Sequence, residues 1–194
     1  MATLFPGRVF TYAADVRDAA ALLSAGRDFV ARAGCPDVVI ANAGVSAGTL
    51  TGRSEDNAVF EEILATNLTG MMLSFQTFQG GMVERGGGTL AGVASVAGFR
   101  GLPGAAAYSA SKAAAISYLE SLRVELRGSG VSVVTICPGY VVSPMTERNP
   151  YPMPFLISSE QAAAKIVSAI ERRHRFYVLP WQMAWVGRFL RILP

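Results

Sequence analysis

Two mostly apolar, non-alternating runs constrain the fold more than any other feature of this chain: residues 37–41 (DVVIA) and residues 131–137 (VSVVTIC). Strands of a sheet with one wet face alternate apolar and polar side chains. Runs that do not alternate are the mark of strands buried on both faces, inside a parallel sheet covered by helices. Both runs stop at turn formers, the first at Asn42-Ala43-Gly44 and the second at Pro138-Gly139. A third strand is expected at 89–94, a short β-prone one at 9–13, and a last one at 176–179. Between them the sequence turns helical. Apolar residues recur at helical spacing over 16–33, about 57–83, and 108–127, where Ala113, Ile116, Leu119 and Leu122 share a face. A final helix is expected at 159–173, with Ser159 as N-cap and basic residues in its last turn. Strand-helix alternation of this kind gives an α/β fold with a doubly wound parallel sheet.

Composition narrows the class. Half of the 194 residues are hydrophobic (51%) and 16% are charged, with no compositional break, so one domain over 1–194 is expected. The net charge of +3 is small, and the basic residues form no stripe interleaved with aromatics, so nucleic acid is not an expected partner. Cys35 and Cys137 stand in no metal or redox spacing and fit a reducing compartment, hence a cytoplasmic expectation. The N-terminal residues show no signal-peptide pattern, and no stretch reaches 18 uninterrupted apolar residues. Residues 139–158 hold four prolines and little periodicity, which reads as a lid over a site. Residues 180–194 form an amphipathic segment in which Trp181, Ala184, Trp185, Phe189 and Ile192 stand among Arg188 and Arg191. Core packing or an oligomer contact is the expectation for it, ahead of a membrane surface. His174, in ERRHR, is expected to serve a helix end, and Cys137 to be a small buried hydrophobe.

The chemistry is carried by a constellation. Tyr108 and Lys112 are four positions apart at the start of a helix, so their side chains lie on one face. A phenol with a pKa near 10 is a poor base at neutral pH, but a neighbouring ammonium favours the phenolate. Ser95 stands thirteen positions before Tyr108, at a strand end in GVASVAG, and Asn67 lies in ATNLTG. Taken singly, Ser95, Asn67 and Asn42 fit turn or cap roles equally well. Taken together, YSASK, GVASVAG, ATNLTG, ANAG (41–44) and CPGYVVSPM (137–145) resemble the short-chain dehydrogenase/reductase family, in order and in spacing, over residues 9 to 179.

That resemblance implies a Rossmann-like fold and an NAD- or NADP-dependent oxidoreductase that interconverts an alcohol and a ketone or aldehyde. Tyr108 would be the acid/base and Ser95 the anchor of the substrate oxygen. Lys112 would bind the nicotinamide ribose and lower the tyrosine pKa, and Asn67 would support a proton-relay water. For the cofactor, it implies Asp15 and Val16 at the adenine, Asn42, Ala43 and Gly44 behind the adenine ribose, and Pro138, Gly139, Val141 and Ser143 at the nicotinamide. Ala41 and Ser143 replace residues usual in the family, without removing a needed group. A homodimer or homotetramer is implied too. Tyr151, Met153, Phe155 and Leu156 in the lid suggest an apolar alcohol or carbonyl substrate.

One family feature has no counterpart. The glycine-rich turn T-G-x-x-x-G-x-G, where backbone N–H groups hold the pyrophosphate, is absent, as are the first two strands and first helix of the family fold. The expectation is therefore a shortened form with Met1 as an internal start and weak dinucleotide binding. In the family's strand order, residues 9–13 would lose their neighbours. They should then slide against the 37–41 strand or leave its edge open. The alternatives to this reading are a non-catalytic interaction or scaffold module descended from the family, or a membrane-surface reductase of lipid-like ketones.

Overall fold

A computed structural model describes residues 7–147, 149 and 151–192. The first six residues, positions 148 and 150 of the proline-rich loop and the last two of the C-terminal segment lie outside that description. The described residues form helix α1 (Ala19–Ala33), strand β1 (Val38–Ala41), helices α2 (Asn57–Leu64) and α3 (Gly70–Arg85), strand β2 (Gly88–Val93), helix α4 (Ala106–Glu125), strand β3 (Val131–Pro138), helix α5 (Ser159–Glu171), strand β4 (Phe176–Leu179) and helix α6 (Gln182–Ile192). The strands make one parallel sheet in the order β1-β2-β3-β4, with Val39 beside Leu90, Leu90 beside Val133, and Pro138 beside Leu179.

The sheet is wound on both sides. Leu90, Val133 and Val39 pack with Met71 and Phe75 of α3 and with Leu119 and Leu122 of α4 on one face. Ala91, Val134 and Ile136 pack with Ala162 and Ile170 of α5 on the other. Adjacent residues of β2 and β3 thus serve opposite cores, which is why these strands do not alternate in hydrophobicity. Helix α1 stacks outside α3. Gly26 makes that contact close, since a Cβ there would meet Thr77 and Phe78. Each helix end has a local cause: the Asp18 carboxylate caps the N–H groups of Ala20 and Ala21, and α3 stops at Gly86 in the left-handed region (φ 73°).

Several expectations need correction. Residues 9–13 form no strand; they run along α1, with Phe10 edge-on to Phe29 and the Tyr12 hydroxyl donating to Asp28 at 2.7 Å. A strand needs a ladder, and none of the described strands lies beside this segment. Consequently β1 is an edge strand buried on one face only: Val39 and Ala41 are covered by α3, while Val38 and Ile40 are exposed. The expected helix over 57–83 is two helices joined by a π segment, Ala65–Thr69, in which the Gly70 N–H reaches the Ala65 carbonyl. The N-cap of α5 is Ser158, not Ser159, in a reciprocal capping box with Gln161, and the helix ends at Glu171 before the basic residues begin. His174 uses its backbone N–H to close the end of α5 on Ala169, and its ring lies 5.6 Å from that of Tyr177. Helix α6 buries Met183 and Gly187, but Trp181, Trp185, Phe189 and Ile192 face outward, so core packing fails for most of its large side chains.

Phe75 is fully buried at the junction of α3 with the sheet. Phe75→Ala should lower the unfolding free energy by about 3–5 kcal/mol in urea titrations followed by circular dichroism. A loss below about 1 kcal/mol would contradict this core assignment.

Candidate active site

The carboxyl ends of three neighbouring strands converge, as they do at ligand sites of open α/β sheets. Asn42-Ala43-Gly44 leaves β1, Ser95 leaves β2, and Pro138-Gly139 leaves β3. Helix α4 lies across this edge and brings Tyr108 and Lys112 in its first two turns. Ser95 caps the short turn Val96–Gly98: its hydroxyl oxygen accepts from the Ala97 N–H at 3.1 Å and the hydroxyl reaches the Pro138 carbonyl at 3.4 Å. Gly98 then passes so close to α4 that a Cβ would lie 2.7 Å from the carbonyl carbon of Lys112 and 2.8 Å from its oxygen. That approach sets Ser95 near Tyr108, close enough for its hydroxyl to favour the phenolate.

Lys112 is 4% exposed, and its ammonium donates to the Val93 carbonyl at 2.8 Å. Burial brings its pKa down from 10.5 to about 8, with Cys137 acting weakly in the other sense. Its Nζ lies 5.7 Å from the centre of the Tyr108 ring. Tyr108 departs from the expected electrostatics. Burial pushes its pKa up, the nearby Ser95 hydroxyl pulls it back, and Tyr151 of the loop after β3 adds to the rise. The ordering is physical: an ammonium already committed to a backbone carbonyl and itself desolvated does less for the phenolate than loss of water does against it.

Asn67 is wholly buried in the π segment. Its amide oxygen accepts from the Val45 N–H at 2.8 Å, and its two amide hydrogens go to the Val45 carbonyl and the Ser111 hydroxyl, each at 3.0 Å. The side chain therefore clamps the loop after β1 onto α4. A Cβ on Gly44 would sit 3.3 Å from Asn67 Oδ1 and 3.5 Å from Lys112 Nζ, so Gly44, Asn67 and Lys112 border one space. Val16 packs on Gly70, where α3 begins. The Asp15 carboxylate is already engaged by the Arg17 guanidinium and backbone N–H, which hold its pKa down at about 2. Ser143 sits in a turn closed by Thr146, whose hydroxyl donates to the Val141 carbonyl at 2.7 Å. The loop after β3 is pinned at its base by the pairing of Val141 with Ile157.

Two contributors were not anticipated from the sequence. Buried Thr49 pairs with the start of α4, taking the Ala107 N–H on its hydroxyl at 3.4 Å, and so serves as the side-chain cap that the helix's own Ala105 cannot provide. Arg17 was missed because a charge two residues from Asp15 reads as solvated surface. A threonine acting across 58 positions leaves no local signal.

Gly98→Ala should cost about 1–3 kcal/mol, because the new methyl meets helix backbone rather than a movable side chain; urea midpoints measure it. Lys112 gives a pH test. Below its folded pKa both folded and unfolded chains carry the proton and the fold bears the full burial penalty; above 10.5 neither does. The stability of the native protein relative to Lys112→Met should therefore climb as pH rises from about 8 to 10.5. A gap that stays constant across that range would refute the buried, destabilised ammonium.

Comparison with known proteins agrees with this geometry. The family model described as short chain dehydrogenase matches residues 2–152. An uncharacterized oxidoreductase of Myxococcus xanthus is 45% identical over 180 residues, spanning 93% of this chain and 71% of the relative. A putative ketoacyl reductase of Streptomyces coelicolor is 33% identical, again over 180 residues, spanning 91% of this chain and 68% of the relative. Among solved structures, a putative short-chain dehydrogenase/reductase from Burkholderia xenovorans superposes with a TM-score of 0.77 at 28% identity, covering 88% of this chain and 72% of that one. A short-chain dehydrogenase from Burkholderia cenocepacia in complex with NADP shares the fold at TM-score 0.85 and 24% identity, over 97% and 78% of the two chains. With a parallel sheet of the right order, a matching family model and a relative at 45% identity, the chain belongs to the short-chain dehydrogenase family of oxidoreductases.

Proposed function

We propose that the protein interconverts an alcohol and a ketone or aldehyde with NAD or NADP, using Tyr108 as the acid/base. The observation that carries this reading is that Tyr108 and the buried Lys112 share one face of α4 at the carboxyl edge of the sheet, with the Lys112 Nζ 5.7 Å from the Tyr108 ring and bonded to the Val93 carbonyl two residues before Ser95. Support for carbonyl chemistry also comes from the relative named a putative ketoacyl reductase. One relative is named for NAD(+) and one solved neighbour holds NADP, so the reading keeps both dinucleotides.

The residues present fit one half of such a cofactor. Gly44 leaves a space bordered by Lys112 Nζ and Asn67 Oδ1 that any side chain at position 44 would fill, and Lys112 can present its remaining hydrogens to ribose hydroxyls there. Pro138, Gly139, Val141 and Ser143 stand at the end of β3 for the nicotinamide, and Asn42 and Ala43 lie beyond β1 for the adenine ribose. Asp15 could serve the adenine only by sharing its carboxylate with Arg17. The pyrophosphate finds no turn of the form T-G-x-x-x-G-x-G in this sequence, and the start of α1 is occupied by the Asp18 carboxylate. Dinucleotide binding by these residues is expected to be weak. Titration with NADH and NADPH by calorimetry tests this, and micromolar affinity would overturn it.

When bound, the nicotinamide supplies or accepts the hydride. The chain's residues handle the oxygen and its proton. In reduction, Ser95 donates a hydrogen bond to the substrate oxygen while the Tyr108 phenol gives up its proton to the alkoxide forming there; in oxidation both transfers reverse. A phenol raised by burial stays protonated through neutral pH, which suits the acid role. Lys112, at about 8, is the neighbouring group that can restore the proton. Asn67 has spent both amide hydrogens, so it contributes by fixing the π segment and the loop at Val45 rather than by binding water through its Nδ2. The lid, with Tyr151, Phe155 and Leu156 exposed above the edge, fits an apolar substrate. Exposed Val124 on α4 and Val167 on α5 fit a homodimer or homotetramer.

Tyr108→Phe should lower turnover of a carbonyl panel by about 10²–10⁴-fold, with the fold unchanged by circular dichroism. Retained turnover would remove Tyr108 from its role. The pH profile is a second readout: reduction should decline only in the alkaline range where Tyr108 loses its proton, while oxidation should rise over that same range.

A further inference from the structure

Helix α6 is apolar on two opposite sides. Its inner side is explained: Met183 packs on Gly139, and Gly187 lies against the ring of Phe99, which itself stacks on Phe176. Its outer side is not. Trp181, Trp185, Phe189 and Ile192 follow one another at spacings of four, four and three, so they fall within one narrow arc of the helix, and they are between 54% and 79% exposed. An apolar arc belongs against an apolar environment, and of the two on this helix only the inner one has it.

Charge identifies what covers the other. No Asp or Glu follows Glu171, whereas α6 carries Arg188 and Arg191. The Arg188 guanidinium lies 5.3 Å from the centre of the Trp185 ring, on the border of the apolar arc. A second copy laid on this surface would bring Arg188 against the same cationic border with no carboxylate on α6 to receive it. An anionic lipid surface receives the arginines, takes the arc into its headgroup boundary, and suits the two tryptophans, which favour that boundary. The surface is a convex helix rather than a groove, and no helix among the described residues is long and apolar enough to cross a bilayer.

We propose that the outer face of α6 docks the protein on an anionic lipid surface through Trp181, Trp185, Phe189 and Ile192, with Arg188 at the headgroups. Because α6 starts where β4 ends and packs on Phe99, four residues after Ser95, docking turns the carboxyl edge of the sheet toward the bilayer. The proposal does not depend on the reaction assigned above.

The chain reports on this face directly, since its two tryptophans are Trp181 and Trp185. The full chain is mixed with vesicles of phosphatidylcholine, with or without phosphatidylglycerol, and with acyl chains brominated or not. Expected are a blue shift of tryptophan emission and quenching by brominated chains with the anionic vesicles. Arg188→Glu should weaken binding by at least about fivefold, the effect of a single charge near such a surface. The double variant Trp185→Ser, Phe189→Ser, both exposed positions, should lose sedimentation with vesicles while keeping its urea midpoint. Three results would overturn the proposal: a blue shift that grows with protein concentration in the absence of vesicles, which marks a second copy; emission unchanged by either vesicle; or vesicle binding that the double variant leaves intact.

Discussion

A buried ammonium bonded to a backbone carbonyl is the constraint around which the site is arranged. Lys112 reaches Val93 at the end of β2 from a helix that could lie nowhere else without stranding the charge. Once α4 is fixed there, Tyr108 stands one turn earlier, beside the residue that leaves β2 two positions after Val93. The approach of Gly98 holds the other side of that junction, and Asn67 and Thr49 tie the loop after β1 to the same helix. The Lys112, Asn67 and Thr49 contacts cost polar groups their water, and each returns a hydrogen bond in its place. The net effect on Lys112 is a proton held less tightly than in water, and on Tyr108 a proton held more tightly.

The two faces of the sheet explain how such a site is kept rigid. Side chains of β2 and β3 point alternately into two separate apolar clusters, one under α3 and α4 and one under α5. The strand ends are thus clamped from both sides, while the loops that leave them are free to differ in length and chemistry. The long loop after β3 is pinned at its root, where Val141 pairs with Ile157 on the way out of Pro138 and Gly139.

Much of this was legible in the sequence, and for physical reasons. The non-alternating run at 131–137 identified the doubly covered strand β3, and the four-residue step from Tyr108 to Lys112 placed both on one face because that step is a property of the helix. Legibility failed where the partner was distant or missing. The β-prone residues 9–13 have strand composition but no ladder to join, and β1 has the composition of a covered strand but one bare face. The mutual influence of Lys112 and Tyr108 was misjudged because sequence shows the neighbouring charge and hides the desolvation that opposes it. The C-terminal segment was expected to serve core packing or an oligomer contact, and its spacing could not choose among its arcs: spacing reveals that an arc is apolar, and only the packing shows which arc is covered.

The π segment at 65–69 has a consequence for how the site and core can vary. Ile63, Asn67, Met71 and Phe75 follow at steps of four, and an unbroken α-helix would set all of them along one slowly drifting stripe. The wider turn breaks that phase. Upstream of it α2 answers to α4, within it Asn67 meets Ser111 of that same helix, and downstream α3 answers to the sheet, where Phe75 fills the core. One rod therefore carries two independent angular settings, so the polar clamp can be altered without rotating the hydrophobic stripe, and the stripe repacked without moving the clamp.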